Sequence, residues 1–106
     1  MAKEIVWSEQ AINSRKSILK YWVLKNQSTA YSIKLDELFR EAVTLISKYP
    51  IIGKPTDIKN TRAKKLRDYI IFYAEVDNKI HIYYIWDNSK KASVVSRLRE
   101  AVKVQD

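Results

Sequence analysis

Proton transfer at neutral pH needs a side chain that titrates there, and this sequence offers one histidine, His81, for that work. Its ordinary pKa of roughly 6.5 suits general acid–base catalysis. Lys64 and Lys65 would have to fall several units from roughly 10.4 to act as a base, so they read as binding groups. His81 is the one candidate acid–base group of this chain. The competing reading of His81 is a half-exposed packing residue of a strand, which is the commoner role. Other chemistries drop out. The chain has no cysteine, which removes disulfides and thiolate ligands, and one histidine cannot make a two-histidine metal site. No metal and no cofactor is expected. Gly53 is the only glycine, so there is no phosphate-cradling loop. Asp36, Glu37 and Glu41 share a stretch with Lys34 and Arg40 and read as solvated charge.

The charge is unevenly spread. Of a net +8, residues 51–67 hold +5, with Lys54, Lys59, Arg62, Lys64, Lys65 and Arg67 against Asp57 alone. A solvated face explains such a run, and so does a footprint for phosphates or an acidic partner; Arg62, Lys64, Lys65 and Arg67 are the candidate contacts. If all six cations met duplex phosphates, doubling the salt would cost about 40-fold in affinity. The aromatics near this run are expected to pack rather than to stack on bases.

The elements that must position these groups follow from periodicity. Lys3 to Trp7 reads as a first strand, Ser8 as a helix N-cap, and Ala11, Ile12, Ile18, Leu19, Trp22 and Val23 as a helix running to Lys25. After a polar turn at residues 26–29, Leu35, Leu38, Phe39, Ala42, Leu45, Ile46 and Tyr49 form the stripe of a second helix that Pro50 ends. Gly53 and Pro55 mark a loop, and Arg62 to Arg67 reads as a strand. Residues 69–76 and 79–86 make a β-hairpin about Asp77–Asn78, two residues that tolerate positive φ. Residues 92–104 suggest a final helix. The expected fold is α+β in one domain over 1–106: two antiparallel helices on a small, mainly antiparallel sheet of three or four strands, order β-α-α-β-β-β. At 106 residues and 46% hydrophobic, such a chain can build one core but no deep cofactor pocket. Regular alternation with Val76 opposite Lys79 puts Ile71, Tyr73, Ile80, Ile82, Tyr84 and Trp86 on one face. It puts Ile70, Phe72, Ala74, His81, Tyr83 and Ile85 on the other, which is too apolar to meet water bare. No run approaches the ~18 apolar residues of a membrane span, and no signal peptide opens the chain, so a cytoplasmic protein without a membrane partner is expected.

The sequence of elements, and four words within it, resembles the RelE/ParE superfamily of bacterial type II toxins. Ile5-Val6-Trp7-Ser8 before a helix with Ala11, Ile18 and Tyr21-Trp22 looks like the amino-terminal signature. Tyr49-Pro50-Ile51-Ile52-Gly53 is similar to the segment after helix two. Arg67-Asp68-Tyr69-Ile70-Ile71-Phe72-Tyr73 with Ile80-His81-Ile82 matches the central hairpin, and Ile85-Trp86-Asp87-Asn88-Ser89-Lys90-Lys91 looks like the ending. Together they cover residues 5–91.

The resemblance implies a toxin held in a hetero-oligomer by an antitoxin whose acidic tail wraps it. The apolar residues Ile70, Phe72, Tyr83 and Ile85 are then the expected antitoxin contacts. It leaves the target open between DNA gyrase, as for ParE-like members, and messenger RNA on the ribosome, as for RelE-like members. In the second case the chain is a metal-independent endoribonuclease with His81 and Lys90 as catalytic candidates and Lys91 among the binding cations. Two departures weigh against cleavage. Ile70 stands where RelE-like members carry a strand arginine, and residues 92–106 contain no aromatic to act as the terminal tyrosine. The reading preferred is therefore a ParE-like toxin that binds a protein target; a non-toxic nucleic-acid-binding relative is the third alternative.

Overall fold

A computed structural model describes residues 2–88 of the chain. The elements run β1 (Glu4–Trp7), α1 (Glu9–Asn26), α2 (Ala30–Lys48), β2 (Lys54–Pro55), β3 (Arg62–Leu66), β4 (Tyr69–Val76) and β5 (Lys79–Asp87). The five strands form one sheet in the order β1-β5-β4-β3-β2. β1 lies parallel to β5 and every other pairing is antiparallel. The expected α+β class, element order and helix pair stand. The strand count rises to five because Lys54 and Pro55 pair with Ala63 and Arg62 as a two-residue edge strand. The helix anticipated at 92–104 falls outside the described residues.

Ser8 explains where α1 starts. Its extended backbone (φ −72°, ψ 161°) lets Oγ accept from the Ala11 N–H at 2.9 Å. The same hydroxyl donates to the Tyr83 carbonyl at 2.8 Å, and the Ser8 N–H donates to the Ile82 carbonyl at 3.0 Å. One buried residue thus caps the helix and ties it to β5. Gln27 closes α1 in the left-handed region at φ 50°, its N–H returning to the Val23 carbonyl.

α2 buries Leu35, Phe39, Ala42, Val43 and Ile46 against the sheet. The buried stripe differs from the expected one. Leu45 and Tyr49 lie about 100° and 65° around the helix from the centre of the buried set, at 100° per residue. They face outward, 38% and 59% exposed. Val43 takes the core position instead.

The hairpin turn is as expected: Asp77 (φ 54°) and Asn78 (φ 64°) both take positive φ, and Val76 pairs with Lys79. Between β3 and β4 the turn is less ordinary, because Arg67 holds φ 54° without being glycine.

The expected facing of β5 fails halfway along. Phe72 pairs with Tyr84 and Tyr73 with Ile82, leaving Tyr83 as an extra residue in β5. Beyond this bulge the alternation is shifted by one. Ile85 joins Ile71, Tyr73, Ile80 and Ile82 in the helix-side core and is 1% exposed. Trp86 lies on the opposite face with Phe72, Ala74 and Tyr83, and Tyr84 packs beside them. Nothing in the run from His81 to Trp86 announces the bulge, since it is apolar in either phase.

Candidate functional site

The hairpin face away from the helices gathers Phe72, Ala74, Tyr83 and Trp86, all buried, with Ile58, Ala63, Ile70, Val76 and Tyr84 packed against them. Of the four residues anticipated as antitoxin contacts, Ile70, Phe72 and Tyr83 share this face, and Ile70 alone is only half-buried. Ile85 is the exception. The bulge turns it under α1, where its N–H donates to Ser14 Oγ at 3.2 Å, so its side chain belongs to the core.

His81 sits in β5 between Val6 of β1 and Ala74 of β4. It is half-buried, with its ring centroid 6.5 Å from that of Tyr83. The described cations proposed to work with it do not gather round it. In β3, Arg62, Lys64 and Leu66 pair with Tyr73, Ile71 and Tyr69 and so share the helix side, whereas Ala63 and Lys65 share the face of Phe72 and Ile70. Lys64 and Lys65 therefore point to opposite faces. The pairings set Lys65 beside Ile70 and Ile70 beside Trp86, four residues along β4 from the Ala74–His81 pair. That is about 13 Å along the strand and about 10 Å across two strand spacings, or roughly 16 Å from backbone to backbone. Arg67 lies at the β3–β4 turn, near Lys65 and equally remote from His81. Lys90 and Lys91 lie outside the described residues.

Arg62 has a structural engagement that its charge did not announce. Its Nη1 donates to the Gly53 carbonyl at 2.7 Å and to the Ile51 carbonyl at 3.4 Å. The buried Tyr73 hydroxyl completes the arrangement, donating to the Pro50 carbonyl at 2.7 Å and accepting from the Gly53 N–H at 2.8 Å. Burial pushes the Tyr73 phenol up from its ordinary pKa, against the opposing pull of the Gly53 N–H and the Arg62 charge. A Cβ on Gly53 would meet the Tyr73 hydroxyl at 2.6 Å and the Ala63 carbonyl at 2.9 Å, so glycine is required there for space. The loop of residues 50–53 is thus tied to β3 and β4 by hydrogen bonds.

That loop carries side chains the sequence reading left unassigned. Ile51 is 77% exposed and Ile52 40%, and the outward-facing Tyr49 and Leu45 precede them. The signal was present in the helical phase of Leu45 and Tyr49, and in two isoleucines beside the only glycine. A concavity of about 860 Å³ runs along α1 between Gln10, Ser17 and Tyr21 and the end of the hairpin at Asp68, Tyr84 and Asp87. Among the described residues no group of three or more His, Asp or Glu side chains is placed to hold a metal ion, and no helix is long and apolar enough to cross a membrane.

Two helices on a mixed five-stranded sheet, with a parallel amino-terminal strand beside an antiparallel hairpin, define the RelE/ParE-like fold. The family model described as "ParE toxin of type II toxin-antitoxin system, parDE" matches residues 5–92. The chain belongs to that family, within the RelE/ParE superfamily. Among solved structures it is similar to a chain of the chromosomal ParDE toxin–antitoxin system from P. aeruginosa, at 16% identity and a TM-score of 0.71, covering 79% of this chain and 94% of that one. It is also similar to a doubly substituted E. coli toxin RelE in the free state, at 18% identity and a TM-score of 0.63, covering 98% of each. Curated protein sequences give no match.

Proposed function

We propose that this chain is the growth-inhibiting toxin of a toxin–antitoxin pair, that a cognate antitoxin neutralises it in a hetero-oligomer, and that it acts by binding a protein target such as DNA gyrase. The family supports the first two parts. The observation that supports the third is the separation of His81 from the basic run of β3. The His81 backbone lies roughly 16 Å from that of Lys65, and Lys64 faces the other side of the sheet. A phosphodiester spans only a few ångströms, so general acid–base and charge-stabilising groups must converge to act on one. Lys65 and Arg67 supply a cationic rim for target or antitoxin, and Ile70, Phe72 and Tyr83 the apolar floor beside it.

The test is induced expression of the chain alone, read by growth, by DNA supercoiling with purified gyrase, and by the integrity of ribosome-bound messenger RNA. Growth arrest with inhibited supercoiling and intact messenger RNA is expected, and His81→Ala should remain toxic. Messenger RNA cleavage that His81→Ala abolishes would replace this reading with the endonuclease one. Normal growth would leave a non-toxic relative.

A further inference from the structure

The end of α2 and the loop after it expose more aliphatic surface than the fold requires. Leu45, Tyr49, Ile51 and Ile52 are adjacent in sequence, all exposed, and outside both buried clusters. Their backbone is also tied down by hydrogen bonds. The Tyr49 N–H donates to the Leu45 carbonyl at 2.9 Å, and the Ile52 N–H to the Tyr49 carbonyl at 3.0 Å. From beneath, Tyr73 and Arg62 fasten the carbonyls of Pro50, Ile51 and Gly53. A surface fixed in advance loses little freedom when something docks, which is where binding energy concentrates in interfaces. The rim is mainly cationic: residues 45–55 contain Lys48 and Lys54 and no acid, with Glu41 one turn before Leu45 as the nearest acid along α2. Behind the loop, Arg62 spends its hydrogen bonds on backbone carbonyls, so no carboxylate among the described residues neutralises it.

The geometry points to this knob as a docking site for an acidic, amphipathic segment of the neutralising partner, its apolar side chains on Tyr49, Ile51 and Ile52 and its carboxylates toward Lys48 and Lys54. The inference rests on the reading that a partner protein neutralises the chain, and adds where it holds on. Charge and chemistry choose the occupant. Nucleic acid would find cations but only one ring, Tyr49, to stack on, the rest of the surface being aliphatic. A second copy would bring Lys48 and Lys54 against their own equivalents on a chain already carrying +8.

The experiment measures affinity of the full chain for the acidic protein encoded by the adjacent reading frame, by titration calorimetry at two salt concentrations. Tyr49→Ser with Ile51→Ser should weaken binding by at least about tenfold at an unchanged thermal midpoint, since both side chains are exposed. Lys48→Glu with Lys54→Glu should weaken it further and flatten the salt dependence. Leu24→Ser, an equally exposed apolar position on α1, should change nothing. If the unaltered chain does not bind that protein, the neutralisation reading falls and this inference with it. Should the unaltered chain bind while the Tyr49/Ile51 variant binds equally well, only the inference falls. A labelled single-stranded RNA that loses affinity for the Tyr49/Ile51 variant while the protein partner does not, or a self-association that the variant dissolves, would overturn it in favour of those occupants.

Discussion

The two helices lie side by side on one face of the sheet, yet they are fastened by different means. α2 turns an apolar stripe inward, with Leu35, Phe39, Ala42, Val43 and Ile46 all buried. α1, nearly as long, fully buries Ala11 alone. Ile18, Leu19 and Trp22 are half-buried against the core, and polar bonds supply the rest of its hold. Ser8 caps it and bonds to β5, Ser14 Oγ accepts from the Ile85 N–H, and Arg15 donates to Asp36 at 2.7 Å, which also pairs with Arg40 at 3.1 Å. Trp22 Nε1 donates to the Tyr69 hydroxyl at 2.7 Å, and the Ser32 hydroxyl of α2 donates to the Leu19 carbonyl at 3.0 Å. Arg15 additionally lies 5.0 Å above the Trp7 ring. Burial is non-directional and scales with area, so α2 is held by many interchangeable contacts. Hydrogen bonds fix angle and register but each adds only about 0.5–1.5 kcal/mol net. α1 is therefore placed with definition and held with little reserve.

That contrast can be broken most forcefully in α2. Phe39→Ala removes a fully buried ring that meets Tyr69 edge-on, with centroids 5.6 Å apart. Urea unfolding should show a loss of about 3–5 kcal/mol. A loss under 1 kcal/mol would mean that α2 is not the apolar anchor. Ser8→Ala removes the α1 cap and the bond to the Tyr83 carbonyl together, and should cost about 1–2 kcal/mol by the same measurement. Hydrogen exchange should quicken in α1 before α2 in that variant. Exchange quickening equally in both helices would deny that they are fastened separately.

The smallest effect expected is a pH dependence at the α1 anchor. Burial, chiefly, raises the Tyr69 phenol above its ordinary pKa, and the Asp87 carboxylate adds to this against the Trp22 N–H. A group raised on folding contributes stability that is whole below its unfolded pKa, roughly 10, and is lost as pH climbs through the folded value. Stability should thus decline only above about pH 10, and less steeply in Tyr69→Phe. Tyr73 shifts the same way and leaves a residual slope in that variant. An identical slope in Tyr69→Phe would remove Tyr69 as a contributor.

What the sequence made legible follows the same division. α2, the hairpin and its turn at Asp77–Asn78 rest on local signals, namely a 3.6-residue stripe, two apolar runs and a pair of residues tolerant of positive φ. The faces of β5 depend on one inserted residue at Tyr83, whose position is set by the partner strand and by Ser8, neither local to it. Hence Ile85, Tyr84 and Trp86 were assigned to the wrong sides while Ile80 and Ile82 were not. The basic run misled differently. Six cations in 17 residues look like one patch on paper, but a strand alternates its side chains, and Arg62 spends its guanidinium on the Gly53 loop. His81 was visible as a residue type; its separation from Lys64 and Lys65 was set by strand pairing, which composition does not encode.

The outer strand β2 is two residues long and ends at Pro55. Past it, the rim of β3 at Lys64–Leu66 has no neighbour strand among the described residues. A bare rim of this kind invites stacking of identical chains into fibrils, and short length, proline and lysine each frustrate that growth. Concentrated solutions of the isolated chain should accordingly stay free of amyloid-type aggregates, kept apart by a border too brief and too positively charged to template its own copy.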